Sequence, residues 1–146
     1  MSDKVLKHAT LVQINGSGVL LCGTSGSGKS DLAFRLIENN GAVLVADDAV
    51  LIYPENGALY GEVPENLRGL LEVRGVGIAE YPFLERSKID LVVDLLEDQD
   101  KIERLPEMQK IRFFDYELLH LDLHAREASA PQKILLKLRD NLLKKV

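Results

Sequence analysis

The sequence has one cysteine, Cys22, in 146 residues. No intrachain disulfide can form and no cysteine-based zinc site can be assembled. A basic excess is also missing. Eighteen lysines and arginines face 23 aspartates and glutamates, a net charge of −5, which argues against a general nucleic-acid binder. Apolar runs are short, as in Val19-Leu20-Leu21-Cys22, and none approaches the roughly 20 residues of a membrane span. The start, Met1-Ser2-Asp3-Lys4, leads into no signal-peptide apolar core. Repeats and low-complexity segments are absent. What remains is 46% hydrophobic and 28% charged, the composition of an ordinary globular domain. The expectation is one soluble, cytoplasmic domain over residues 1–146, with no nucleic-acid or membrane partner.

Hydrophobic periodicity outlines an α/β domain. Leu11, Ile14 and Val19 to Cys22 read as two strands broken at Gly16-Ser17-Gly18. Ser30 to Asn40 is helical, with Leu32, Ala33, Leu36 and Ile37 on one face and Gly41 placed as a C-cap. Ala42 to Ala46 reads as a buried strand ending in Asp47-Asp48. Val50 to Tyr53 and Ala58 to Tyr60 flank a hairpin turn. Pro64 is placed to open a short helix carrying Leu67, Leu70 and Leu71. Ile89 to Leu95 is another strand. Residues 94–107 hold six acids and two bases and read as a solvated connection. Leu119, Leu121 and Leu123 alternate with polar residues as a half-buried strand. A final helix starts near Ser129 and buries Ile134, Leu135, Leu138 and Leu142.

Gly23-Thr24-Ser25-Gly26-Ser27-Gly28-Lys29-Ser30 fits G-x-x-x-x-G-K-[ST] without a mismatch, after an apolar strand and before an amphipathic helix. Its glycines let the backbone reach positive φ and approach phosphates. Consecutive N–H groups and the helix N-terminus then form an anion cradle. Lys29 can reach phosphate oxygens, and the Ser30 hydroxyl can ligate Mg²⁺. The loop implies a nucleoside triphosphate but does not separate kinase from ATPase or GTPase. A carboxylate must help hold the metal, and a kinase also needs a group to take the acceptor's proton. Two strands end in acid: Val43 to Asp48, and Leu91 to Asp94. A β–α–β crossover would bring the first near the phosphates. Adjacent carboxylates there repel, which can raise one pKa toward proton transfer. The alternative is a helix cap or turn acid, and it weighs more for Asp94.

His8, the loop, Val45-Ala46-Asp47-Asp48-Ala49-Val50 and Leu71-Glu72-Val73-Arg74-Gly75-Val76-Gly77-Ile78 occur in that order. Together they resemble the catalytic domain of bacterial HPr kinase/phosphorylase, specifically over His8 to Ile78 and more weakly over Ile89 to Asn141. The resemblance implies a phosphate-loop kinase domain with a mixed central sheet and flanking helices. It implies ATP and Mg²⁺ as cofactors and a serine of an HPr-type phosphocarrier as acceptor, with a reverse reaction on inorganic phosphate. By resemblance, Asp48 is the proton acceptor and Asp47 supports metal and phosphate. His8 lies near the site, and Glu72 joins Ser30 at Mg²⁺. Arg74 belongs to the motif serving both directions, and Arg104, in Glu103-Arg104-Leu105, matches a family catalytic arginine. Taken without the family, His8 reads equally as a surface histidine, and Glu72 with Arg74 as an exposed pair. Arg104 reads as a solvated charge. The family forms hexamers, which leaves a homo-oligomer open here.

Departures from the family pattern are informative. The chain starts almost at His8, so no N-terminal regulatory domain is expected. Asp31 stands where the family usually has Glu, and one extra residue falls in Glu38-Asn39-Asn40-Gly41. The region of the family's basic, glycine-containing loop reads Leu123-His124-Ala125-Arg126-Glu127-Ala128-Ser129. It has no glycine, and Glu127 adds negative charge, so kinase activity is better supported than the reverse reaction. Such short forms are similar to those of alphaproteobacteria, whose carriers belong to a regulatory phosphotransferase system. His120, Asp122 and His124 share a face of the predicted strand and could offer metal ligands, but a polar solvent face or a subunit contact is the simpler reading. The basic last helix reads as solvated or as meeting an acidic surface, and Cys22 as a buried structural thiol. Two competitors remain: a small-molecule kinase on the same loop, and a non-catalytic nucleotide-sensing module.

Overall fold

A computed structural model describes residues 3–107 and 109–139. The chain opens with β1 (Val5–Lys7), β2 (Ala9–Ile14) and β3 (Ser17–Cys22), then α1 (Lys29–Asn40), β4 (Val43–Ala46), β5 (Val50–Glu55) and β6 (Ala58–Glu62). It continues through β7 (Leu70–Val73), β8 (Gly77–Glu80), β9 (Arg86–Lys88), β10 (Leu91–Leu95), β11 (Lys110–Phe113), β12 (Tyr116–Leu123) and α2 (Ala130–Arg139). A six-stranded mixed sheet has the order β11-β12-β10-β3-β2-β4, and a four-stranded sheet the order β1-β5-β6-β9. Strands β7 and β8 form a separate hairpin. Among the described residues no helix is long and apolar enough to cross a membrane.

Two apolar clusters give three layers. Leu32, Ala33 and Leu36 of α1 and Ile134 of α2 pack with Val12, Val19, Leu21, Leu91 and Val93 on one face of the large sheet. Leu11, Leu20 and Val92 on its other face pack with Val50, Ile52 and Leu59 of the small sheet. Burying a side chain of this size contributes roughly 1.5–3 kcal/mol, so the large sheet, covered on both faces, is the rigid element. Strand β10 alternates between the two clusters. Leu91, Val93 and Leu95 face the helices, while Val92 faces the small sheet.

Several local expectations shift. The break between β2 and β3 falls at Asn15-Gly16, both at positive φ (50° and 84°), a two-residue hairpin turn. Ser17 and Gly18 belong to β3. Gly18 is required there by space, because a Cβ on it would lie 1.8 Å from the Lys88 carbonyl oxygen. The helix expected after Pro64 is a single 3₁₀ turn, Glu65–Leu67. Gly69 at φ 73° ends it, and Leu70 and Leu71 enter β7 instead. The strand expected from Ile89 begins at Leu91, because the Asp90 carboxylate and N–H both bond the backbone of Gly18. The solvated connection contains one 3₁₀ turn, Gln99–Lys101, capped by the Asp98 side chain. The last helix begins where expected; Leu142 lies outside the described residues. Its expected basic face also includes Lys144 and Lys145, which lie outside the described residues, and within the described residues it is not simply solvated. Lys133 pairs with Glu127 at 2.9 Å, and Lys137 is buried against Gln109.

Candidate functional site

Strand β3 runs out of the core at Cys22 and delivers the loop 23–30 to the N-terminus of α1. Strands β3 and β4 both run antiparallel to β2, which lies between them, so they point the same way. Asp47 and Asp48 therefore emerge at the same end of the sheet as the loop. A one-residue slip in the β2–β4 register falls between Leu11 and Val12. Consequently Val45 and Ala46, although consecutive, both pack in the cluster facing the small sheet. Such a bulge re-aims the residues that follow it, and here Asp47 follows.

Asp47 is buried and fully engaged. The Ser30 hydroxyl donates to its Oδ1 at 2.6 Å, and the Thr10 hydroxyl donates to the same oxygen at 3.0 Å. The Glu72 backbone N–H donates to its Oδ2 at 3.2 Å. One carboxylate thus ties the phosphate loop, β2 and the β7–β8 hairpin together. Asp48 differs from its neighbour: its carboxylate side is exposed, and its φ of 69° lies in the left-handed region. Aspartate tolerates that region better than most residues. The Asp48 N–H donates to Thr10 Oγ at 3.2 Å. A single buried threonine hydroxyl therefore orients both aspartates. The only sequence signal for Thr10 is a hydroxyl residue near the loop-facing end of an otherwise apolar strand.

The loop fits a phosphate-bearing ligand. Gly28 has φ 99°, and a Cβ on Gly23 would lie 2.4 Å from Ser27 Oγ, so both positions need glycine. Ser27 Oγ is buried and without a hydrogen-bond partner. The Lys29 ammonium donates to the carbonyls of Gly23 and Thr24 at 2.9 and 3.1 Å. A buried, unpaired hydroxyl costs about 1–3 kcal/mol, and an ammonium held over a glycine-rich loop is placed to exchange carbonyls for anionic oxygens. Thr24, Ser25 and Gly26 form the exposed crest of the cradle.

The other predicted residues are exposed, and of them only Glu72 meets the corner, through its backbone N–H. His8 directly precedes Ala9, which pairs with Cys22, the residue before the loop. It is exposed, as are Glu72, Arg74 in the β7–β8 turn, and Arg104 beyond the 99–101 turn. Neither Arg74 nor Arg104 makes an ion pair or hydrogen bond among the described residues. Arg35 was not expected to matter. It bonds Asp31 at 3.1 Å and the carbonyls of Ala125 and Glu127, pinning segment 124–129 to α1. Ala125 then packs so close that a Cβ on Gly28 would lie 2.8 Å from its own Cβ. The negative charge that Glu127 adds is paired with Lys133 at 2.9 Å. The hydrogen bond from Lys133 holds its carboxyl below the usual range. Cys22 matches the expected buried thiol, because burial pushes it up to about 11.

A glycine-rich cradle on a strand-to-helix junction, with a buried lysine, a helix-first serine and a carboxylate on that serine, defines a phosphate-loop protein of the nucleotide-binding class. Residues 1–137 match the family model described as HPr Serine kinase C-terminal domain, and the chain belongs to that family. A HPr kinase/phosphorylase from a Geobacillus species is 42% identical over 130 residues, covering 82% of this chain and 42% of the relative. One from Caldanaerobacter subterraneus is 39% identical over 137 residues, covering 86% and 45%. The chain thus spans less than half the length of these relatives. The solved structure of the Hpr(Ser) kinase/phosphatase from Coxiella burnetii superposes with a TM-score of 0.79 at 24% identity, covering 94% of this chain and 90% of that one. That likeness shares the α/β fold expected from sequence.

Proposed function

We propose that this chain is a protein serine kinase that transfers phosphate from Mg-ATP to a serine of an HPr-type phosphocarrier. The observation that carries the proposal is the pairing at Asp47 and Asp48. One carboxylate is buried on the loop serine, and its neighbour is exposed beside it. A metal-and-phosphate acid next to a solvent-facing acid is the division of labour that phosphoryl transfer to a hydroxyl requires. In this reading Gly23, Thr24, Ser25, Gly26, Ser27 and Gly28 present backbone N–H groups to the phosphates, and Lys29 leaves its loop carbonyls for the transferred group. Ser30 and Glu72 hold Mg²⁺, with Asp47 supporting both. When bound, the cation neutralises charge on the phosphates. Asp48 accepts the serine proton. His8 lies at the rim, and Arg74 and Arg104 supply positive charge toward the phosphoryl group as the partner docks. The reverse reaction stays less supported, because segment 123–129 still lacks glycine and is pinned by Arg35.

The test is incubation of the full chain with Mg-ATP and a purified HPr-type carrier from the same organism. Mass spectrometry should show one added phosphate on a serine. Label appearing in a metabolite pool instead would indicate a small-molecule kinase, and nucleotide binding without any transfer would indicate a sensing module.

A further inference from the structure

Outside the phosphate-loop corner, Asp94, His120 and Asp122 form a group whose ligand atoms all lie within 4.8 Å of one another. The group follows directly from strand register. In the parallel β10–β12 pair, Asp94 stands opposite Asp122 and Val92 opposite His120. Side chains two apart share a face, so all three project from the same side of the sheet as Val92, away from the helices. No backbone movement is needed to gather them. His124, expected from sequence to share this face, lies beyond the end of β12 and turns its Nδ1 to the Leu96 carbonyl at 3.0 Å. Asp94 takes its place from the neighbouring strand.

We propose that Asp94, His120 and Asp122 bind a divalent transition-metal ion, with Zn²⁺ as the fitting probe, at a site separate from the Mg²⁺ site of the loop. Zinc holds nitrogen and oxygen ligands at about 2.0–2.2 Å, which sets neighbouring ligand atoms about 3.0–3.5 Å apart in tetrahedral or octahedral sets. His120 Nε2 is 2.8 Å from Asp94 Oδ2 and 3.3 Å from Asp122 Oδ1, close to such edges. Charge argues the same way. One Nε2–H satisfies a single acceptor, and even an imidazolium leaves two carboxylates with a net negative charge. A divalent ion with two carboxylates and a neutral imidazole sums to zero. The imidazole selects transition metals over Mg²⁺, which prefers oxygen ligands. His120 is 12% exposed and each aspartate 43%, so the group is anchored on one side and open on the other. Three protein ligands with an open side leave coordination positions for water or an exogenous ligand. Asp94 pairs with Cys22, the residue before the loop, so the ion would sit one strand away from the start of the cradle.

The test is a zinc titration of the full chain against a chromophoric chelator, with Mg²⁺ in excess and no nucleotide. One zinc per chain should bind and raise the melting temperature. Asp94→Asn and His120→Gln should each weaken binding at least about tenfold and abolish the thermal shift, with unchanged far-ultraviolet circular dichroism. His124→Gln and Cys22→Ala should bind as the parent does. Co²⁺ should give visible d–d bands without an intense thiolate band. Absence of binding to the parent, or binding that survives Asp94→Asn with His120→Gln, overturns the proposal and leaves an ion-paired histidine. None of these readouts depends on kinase activity.

Discussion

The phosphate-loop corner and the β7–β8 hairpin meet at Asp47, yet they are built in opposite ways. In the corner, Thr10, Ser27, Lys29 and Asp47 are all buried, and every oxygen of Asp47 is engaged. On the hairpin, Val76 is 85% and Ile78 69% exposed, with Glu72 and Arg74 open beside them. Only the Glu72 N–H ties the hairpin to the carboxylate. A nucleotide has a fixed shape and charge, so a preorganised cradle meets it without reorganisation at the moment of transfer. A protein acceptor brings its own surface, and apolar side chains left in water are what such a surface can cover. Under the proposed function, the contrast fits a donor held in the corner and an acceptor received at the hairpin.

The sharpest way to break this division is at Asp48, the exposed neighbour of the shared carboxylate. Asp48→Asn keeps the shape and removes the proposed base. Transfer to the carrier should fall about 10²–10⁴-fold, while nucleotide affinity measured by titration stays at the parent value. Asp48→Gly should lose transfer as completely but melt no earlier, because glycine adopts a φ of 69° without steric cost. Full transfer by either variant would show that the proton goes elsewhere. Gly28→Ala attacks the corner alone. Its φ of 99° and the 2.8 Å approach of Ala125 leave no room for a methyl group. Nucleotide affinity should drop more than about tenfold, a loss of about 1.4 kcal/mol. Thr10→Val retains shape but strips Asp47 of one donor and leaves the Asp48 N–H unpaired. Calorimetry should show a loss of about 1–3 kcal/mol, with nucleotide binding weakened in parallel. An unchanged melting temperature would mean that the corner is not held by this threonine.

The sequence signals that survived are those written in local chemistry. The phosphate loop, the Gly41 cap at φ 72°, and the Asn56-Gly57 turn (φ 50° and 79°) all stand where their residue types demand. The α/β class followed from hydrophobic runs, and the shared end of β3 and β4 from the β–α–β crossover. What was not legible depends on packing between distant segments. Thr10 reads as one more strand residue until Asp47, 37 positions away, is placed against it. Arg35 drew no reading from the sequence, because its role appears only when residues 125 and 127 fold back over α1. Leu70 and Leu71 fit a helical face as well as a strand, and Gly69 at positive φ decided between them. The histidine pattern in β12 was visible, but its partner Asp94 came from the next strand through register.

The hairpin itself gives the smallest and most discriminating effect. Val76 and Ile78 are exposed, so replacing both with serine removes little that the fold uses. Stability should remain within about 0.5 kcal/mol of the parent, as for most surface substitutions. Nucleotide affinity should not change, since the corner keeps all its hydrogen bonds and the Glu72 N–H still reaches Asp47. If the hairpin receives the carrier, the double variant should raise KM for the carrier about tenfold, or about 1.4 kcal/mol, with kcat little altered. That pattern marks lost binding shared by ground and transition states. A fall in kcat at constant KM would instead mean that the hairpin positions Glu72 and Asp47 for the chemistry. The donor and acceptor regions would then be one mechanical unit rather than two surfaces meeting at a shared carboxylate.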